Sequence, residues 1–252
     1  SFTPGAGFGK AGKEDSGTWN RHKRMDDQWY IRYQGGPRFS LRLGLTSFKH
    51  VGVFPEQAPN WEFIYKRTRE LTEKARLESR EAPKVLNLFA YTGAASLAAK
   101  AAGADVTHLD SVRQVVTWAR GNMESSRLDG IRWVVEDALK FARREARRGN
   151  VYQGIILDPP AYGHGPDGEK WKLDECLYDM MKCVSAILAP KDSFMVLNLY
   201  SNGFSPLLGE TVVREAFGLG GTDTGKSEQG AGAKPSAIQE SGELAHSDRT
   251  GK

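Results

Sequence analysis

The chain has 252 residues, of which 39% are hydrophobic and 26% charged, and a formal net charge of +4. That length fits one full α/β domain with a small appendage, and no window approaches the ~18 consecutive apolar residues of a membrane span. The N-terminus does not read as a secretory signal, and Cys176 and Cys183 share one predicted helix, too few for a disulfide framework, so a reducing, cytoplasmic setting is expected.

Residues 1–27 are rich in Gly, Lys and Ser, carry Arg21-His22-Lys23-Arg24, and read as a flexible basic arm. Residues 28–58 read as a hairpin region, because "QWYIRYQ" and "RFSLRLGL" alternate apolar and polar residues around the turn "GGP". From residue 59 a larger domain is expected to run to residue 217. It opens on a helix whose Trp61, Ile64, Leu71 and Ala75 share one face. From residue 84 strands and helices alternate: "KVLNLF", then "GAASLAAKAA"; "DVTHLD", then "SVRQVVTWARGNMESS" with Val112, Val115, Ala119 and Met123 inward. "IRWVVED" precedes "ALKFARREARR", "YQGIILD" precedes "LDECLYDMMKCVSAIL", and "SFMVLNLY" is a fifth strand. Such alternation predicts a mostly parallel Rossmann-like α/β sheet with helices on both faces and right-handed crossovers. Residues 218–252 form a Gly- and Ser-rich segment in which "SAIQESGEL" is the candidate for a last strand, and the chain is expected to be cut short there.

Ligands of such sheets sit beyond the carboxyl ends of the strands. Asn87, Asp110, Asp137 and Asp158 all fall there. The first turn, "NLFAYTGAASL", carries only Gly93 and so lacks the G-x-G-x-x-G of a pyrophosphate-binding turn. One glycine at a helix N-terminus suits a smaller anion such as a carboxylate. Asp110 ends the second strand, where a carboxylate can take ribose hydroxyls; Asp137, with Ala138, ends the third, where an adenine edge can be read. Either acid alone could instead cap the helix after it. Ribose, adenine and an amino-acid carboxylate together describe S-adenosylmethionine, and no metal is expected. In "GIILDPPAYGHGPDG" the apolar strand ends on Asp158, stiffened by Pro159 and Pro160, with Tyr162 close behind and a mobile Gly-rich loop beyond.

The stretch from about Phe39 to Ser205 resembles the class I S-adenosylmethionine-dependent methyltransferases, and among them the large-subunit (23S) ribosomal RNA group. The residues that carry the resemblance are "TSFKHVGVFPEQAPNW", "VLNLFAYTGAASLAAKAAGADVTHLD", "VVEDALKF" and "ILDPPAYG". It implies a seven-stranded sheet whose last strand is antiparallel. It further implies that Asn87, Phe89, Ala90, Tyr91, Thr92 and Gly93 cradle the methionine part, and that Asp110 with Ser111 holds the ribose. Asp137 and Ala138 would face the adenine, Asp158, Pro159, Pro160 and Tyr162 the reacting methyl group, and Gln57 and Asn60 the cofactor entrance. Asn87 stands where many class I enzymes carry an acid, which weakens the contact expected with the methionine ammonium.

Methyl transfer needs the acceptor's lone pair aligned behind the methyl group, so positioning supplies much of the rate. Asp158 can hold a base edge while Tyr162 stacks on its face. Carbon methylation of a pyrimidine usually needs a cysteine nucleophile; the place where some relatives carry one reads "LNLYSNG", with Tyr200 and Ser201, so a nitrogen acceptor on a purine is favoured. Lys140, Arg143, Arg144, Arg147 and Arg148 recur at three- and four-residue spacing as one basic stripe, and Arg32, Arg38 and Arg42 interleave with Tyr30, Tyr33 and Phe39; both patterns suit RNA. The expected partner is RNA, large-subunit ribosomal RNA in particular, with no membrane contact and an oligomeric state the sequence does not specify. Protein or small-molecule methylation, nicotinamide-dependent oxidoreduction and a non-catalytic RNA-binding module are the competing readings.

Overall fold

The computed structural model describes residues 6–10, 17–46, 50–199 and 206–219. Part of the expected arm is ordered as a ribbon: β1 (Ala6–Lys10) pairs antiparallel with β2 (Gly17–Arg21), and the Trp19 indole donates to the Thr46 carbonyl at 2.6 Å. The hairpin follows as β3 (Gln28–Gln34) and β4 (Arg38–Gly44), paired Gln34 to Arg38 across the turn. Its period-two pattern does what it predicts on one strand, for Phe39, Leu41 and Leu43 are all buried.

A 3-10 turn, Pro55–Gln57, passes directly into α1 (Ala58–Leu77), so the boundary expected at 58/59 falls inside a continuous helical segment. The parallel region contributes β5 (Lys84–Leu88), α2 (Ala94–Ala101), β6 (Asp105–Asp110), α3 (Arg113–Ser125), β7 (Arg132–Val135), α4 (Ala138–Arg148) and β8 (Gly154–Leu157). After it come a short hairpin, β9 (Tyr162–His164) and β10 (Lys170–Lys172), then α5 (Leu173–Ile187), β11 (Phe194–Leu197) and α6 (Pro206–Ala216). The sheet order is β11-β8-β5-β6-β7 and every neighbouring pair is parallel. These five strands lie among the described residues; "SAIQESGEL" and the implied sixth and seventh strands lie outside them, as do Tyr200 and Ser201.

Two apolar cores cover the sheet's faces, as the alternation of strand side chains requires. On one face Val85, Val106 and Ile156 pack with Trp61 and Ile64 of α1, Leu97 of α2, Met123 of α3 and the β4 residues. On the other, Leu86, Leu88, Ile155 and Leu157 pack with Phe141 of α4 and Leu177, Met180 and Val184 of α5. The hairpin region thus shares the main core and has none of its own.

Three expectations change here. On α3 the buried residues are Val116, Ala119, Asn122 and Met123, while Val112 is 47% exposed and precedes the first turn. The Asn122 side chain takes the inward place expected of an apolar one because it bonds two strands of backbone: Oδ1 accepts from Arg42 N at 2.8 Å and Nδ2 donates to Thr92 O at 2.9 Å. Tyr33 and Phe39 are not an RNA-facing pair. Their rings stack at 5.2 Å against the edge of Trp61, and the Tyr33 hydroxyl donates to Glu62 at 2.6 Å. The loop after Asp158 is the β9–β10 hairpin, pinned by the buried Trp171, whose indole donates to Pro160 O at 2.7 Å.

Candidate active site

The turn from β5 to α2 is bent by backbone that side chains rarely adopt: Phe89, Tyr91 and Gly93 all have positive φ, at 55°, 48° and 92°. Left-handed residues are costly unless the surroundings fix them, and they concentrate at ligand clamps. The surroundings here are specific. Tyr91 N donates to Asp110 Oδ2 at 2.9 Å, Ala90 N to Leu109 O at 3.0 Å, and Gly93 N to Ala90 O at 3.1 Å. Thr92 Oγ1 donates to Gly52 O at 2.8 Å, and the Phe89 ring packs on Trp171 at 4.7 Å.

Asp110 straddles two elements, since Oδ1 accepts from Val112 N at 2.9 Å while Oδ2 holds the Tyr91 amide. The bond to Val112 is a local turn ahead of α3, whose cap residue is Val112 itself, so Asp110 is not that helix's N-cap. Burial pushes its carboxyl above the usual range, opposed by the Val112, Tyr91 and Ser111 amides. Each carboxylate oxygen can accept more than one donor, so two hydroxyls of a ligand can still be received.

Asn87 lies deeper than expected, and Asp137 takes the helix-cap position that was one of its two readings. Asn87 is the penultimate residue of β5 and the pleat turns it inward, where it is 2% exposed. Its Nδ2 donates to Ser96 Oγ at 2.9 Å, and Ser96 Oγ meets His108 Nδ1 at 3.0 Å, so the amide braces the turn from below. Burial holds His108 neutral, with its pKa down at about 3. Asp137 is the N-cap of α4, accepting from Lys140 N at 2.8 Å, with Ala138 buried behind it. The β9–β10 turn also lies on it, for a Cβ added at Gly165 would stand 3.0 Å from Asp137 Cβ.

The β8–β11 end of the rim is a second polar cluster. Leu157 and Leu197 are in register on adjacent parallel strands, so Asp158 and Asn198 emerge side by side, and Asn198 N donates to Leu157 O at 2.9 Å. Above them the 3-10 turn and the first turn of α1 bring Glu56, Gln57 and Asn60. Asn60 Nδ2 donates to Gln57 Oε1 at 2.7 Å and to Asn198 Oδ1 at 2.8 Å; Asn198 Nδ2 donates to Gln57 Oε1 at 3.0 Å. Gln57 is 6% exposed and its Nε2 has no partner among the described residues. Burial, and next the charge of Glu56, push Asp158 up to about 7, while a bond from Asn198 works the other way. Pro159 is buried behind it; Tyr162 is 53% exposed, its hydroxyl 2.9 Å from His164 Nε2.

The basic stripe of α4 is not a free cationic surface. Lys140 Nζ bonds Asp167 at 3.0 Å and Glu169 at 2.9 Å, Arg143 bonds Asp179 at 2.7 Å, Arg144 bonds Glu136, and Arg148 lies 3.6 Å from Glu145. Of the five, Arg147 alone has no carboxylate partner among the described residues. Cys176 and Cys183 are free, half-buried against the α5 core, and burial raises the Cys183 thiol. No helix among the described residues is long and apolar enough to cross a membrane.

A parallel sheet with both faces covered, a strained first turn and polar residues along its carboxyl rim make up the Rossmann-like fold of the methyltransferases. Among solved structures, the S-adenosylmethionine-dependent methyltransferase from Agrobacterium tumefaciens is 37% identical, superposes with a TM-score of 0.75, and is matched over 84% of this chain and 65% of its own. A protein named ribosomal RNA large subunit methyltransferase K/L, from Shewanella frigidimarina, is 27% identical over 186 residues, which are 71% of this chain and 24% of the relative. The protein of that name from Syntrophotalea carbinolica is 31% identical over 152 residues, 56% of this chain and 19% of its own length. The chain therefore spans about a quarter or less of these curated relatives. No family model matches it.

Proposed function

We propose that the chain is an S-adenosylmethionine-dependent methyltransferase acting on a base of RNA, large-subunit ribosomal RNA in particular. The carrying observation is the division of one rim into two polar clusters: the Tyr91–Asp110 turn, and Asp158 with its amide neighbours. The residues fit the cofactor, since Asp110 keeps lone pairs for ribose hydroxyls and Gln57 Nε2 is a buried donor with no partner among the described residues. Bound there, the cofactor supplies an electrophilic methyl group on a sulfonium that loses its positive charge in the transfer. The left-handed turn Phe89–Gly93 would seat the methionine part. Asp158 accepts the N–H of a nitrogen acceptor, orients its lone pair, and is a base for the proton released. Pro159 and Pro160 limit its movement, and the exposed Tyr162 ring is available for stacking on the base. The Agrobacterium and ribosomal RNA methyltransferase relatives support both the chemistry and the substrate class. A structural neighbour described as a Thermus thermophilus 16S rRNA N2 G1207 methyltransferase with AdoMet and guanosine, 16% identical with a TM-score of 0.51, shares the fold.

The test is single-turnover transfer of a labelled methyl group to ribosomal RNA, followed by nucleoside mass spectrometry. A methylated base formed by the intact protein and lost in Asp158→Ala is the expected result. Cofactor binding with transfer only to protein or small-molecule acceptors would refute the RNA assignment.

A further inference from the structure

Three amides at the acceptor end form a closed set. The oxygen and nitrogen of an amide are nearly interchangeable in shape, so the orientation has to follow from the partners. Asn60 Nδ2 meets two oxygens, Gln57 Oε1 at 2.7 Å and Asn198 Oδ1 at 2.8 Å. Gln57 Oε1 meets two N–H groups, from Asn60 and from Asn198 at 3.0 Å. Turning Gln57 over would set its NH2 against two others; turning Asn198 over would oppose oxygen to oxygen and NH2 to NH2. Two arrangements satisfy every pair, this one and that with all three amides turned over, and a carboxylate at Asp158 selects this one, because the other would set an oxygen of Asn198 against it. In the selected arrangement the remaining N–H of Asn198 is left for Asp158, on the adjacent strand in register.

We infer that Asn198 is a positioning residue of the acceptor site: locked by Gln57 and Asn60, its amide donates to Asp158 and fixes which way that carboxylate faces. This rests on the reading of Asp158 as the group that meets the acceptor. A donor at that position is compatible with a carboxylate and conflicts with the O–H of a carboxylic acid, so the lock also favours the form able to accept a substrate N–H. The influences on Asp158 from the elements around it are few. Glu56 of the 3-10 turn repels its charge, Asn198 after β11 supports it, and on β9 Tyr162 and His164 are bonded to each other. Removing Asn198 leaves burial and Glu56 unopposed.

The experiment is a pH series of single-turnover methyl transfer to ribosomal RNA, alongside carbon-13 carboxyl NMR titration of Asp158 in the protein alone. The variants are Asn198→Ala, Asn60→Ala, which loosens the lock but keeps Asn198, and Asp158→Asn. The expected result is that the acid limb of the rate profile and the Asp158 titration both move up by about one pH unit in Asn198→Ala. Asn60→Ala should move them less, and cofactor affinity should hold in Asn198→Ala. A rate that falls equally at every pH, with the titration in place, would overturn the inference and leave Asn198 a packing residue. Should Asn198→Ala not fold, Asn60→Ala decides on the same readout. If Asp158→Asn is inactive while Asn198→Ala titrates as the parent does, the inference alone fails. If Asp158→Asn keeps the parent rate, the assignment of Asp158 fails and takes the inference with it.

Discussion

Replacing Asp158 with Asn should stabilise the fold while removing activity, by an amount that depends on pH. The carboxyl is raised from 3.8 to about 7, chiefly by burial and next by Glu56. At 1.36 kcal/mol per unit, a shift of about three units sets a ceiling of roughly 4 kcal/mol on the cost of ionising it in the folded protein. The bond to Asn198 is already contained in that shift; water penetration reduces the ceiling further, so about 2 kcal/mol is expected. The sign follows from proton counts. Between pH 4 and 7 the folded protein holds a proton on Asp158 that the unfolded chain has released, so parent stability falls as pH rises through that window. The variant has no such proton, and its advantage should grow from small near pH 4 to full above about 7.5.

His108 slopes the other way. Its folded pKa is lowered from 6.5 to about 3, so its contribution is complete above 6.5 and is lost as pH falls towards 3. In the parent the two groups oppose each other across pH 4 to 6.5; in Asp158→Asn one opponent of the His108 slope is gone, so stability should rise more, or fall less, with pH there than in the parent. Asp110, also raised by burial, is present in both proteins and drops out of the difference. Urea denaturation of both proteins at several pH values measures it. A difference that stays constant from pH 4.5 to 8 would show that Asp158 is not desolvated, and the catalytic argument would lose its electrostatic basis.

Gly52 has φ +99° and a Cβ there would stand 2.4 Å from the Trp118 ring, so Gly52→Ala should cost more than about 2 kcal/mol, read as a lower denaturation midpoint; an unchanged midpoint would show that the loop yields freely. Cys176→Ser with Cys183→Ser should keep full methyl transfer, because both thiols are half-buried against the α5 core; loss of turnover with an intact fold would point to covalent catalysis. Arg143→Ala with Arg148→Ala should leave the salt dependence of RNA affinity nearly unchanged, because both side chains already face carboxylates. A fall of about 0.7 in slope for each arginine would restore that helix as an RNA surface.

What the sequence makes legible is what it encodes over short range. The start of α4 follows from the Asp137 cap and its end from Gly149 in a left-handed conformation, and both termini fall where the pattern puts them. β8 reads as a strand because four successive apolar residues are buried on both faces. The stripe on α4 was equally plain as a row of cations, yet its meaning depended on acids 27, 29 and 36 residues away. Spacing along one helix says which residues share a face and nothing about what faces them.

The amide lock marks that limit more sharply. Asn198 lies 138 residues from Asn60 and 141 from Gln57, and no helical or strand period links such positions. A signal for Asn198 was nonetheless present, because "FMVLN" ends on a polar residue just as "GIILD" does, and parallel strands in register present their terminal residues together. The strand-end rule that selects Asp158 selects Asn198 as well once the fifth strand is treated like the fourth. Asn87 shows the converse: one residue short of a strand's end, a polar side chain points into the core, and its amide braces Ser96 and His108 beneath the β5–α2 turn. Leu88 pairs with Leu109 and with Leu157, so Asp110 and Asp158 stand one full strand period beyond Asn87 on the same side of the pleat, and depth along the strand separates the buried brace from the residues at the rim.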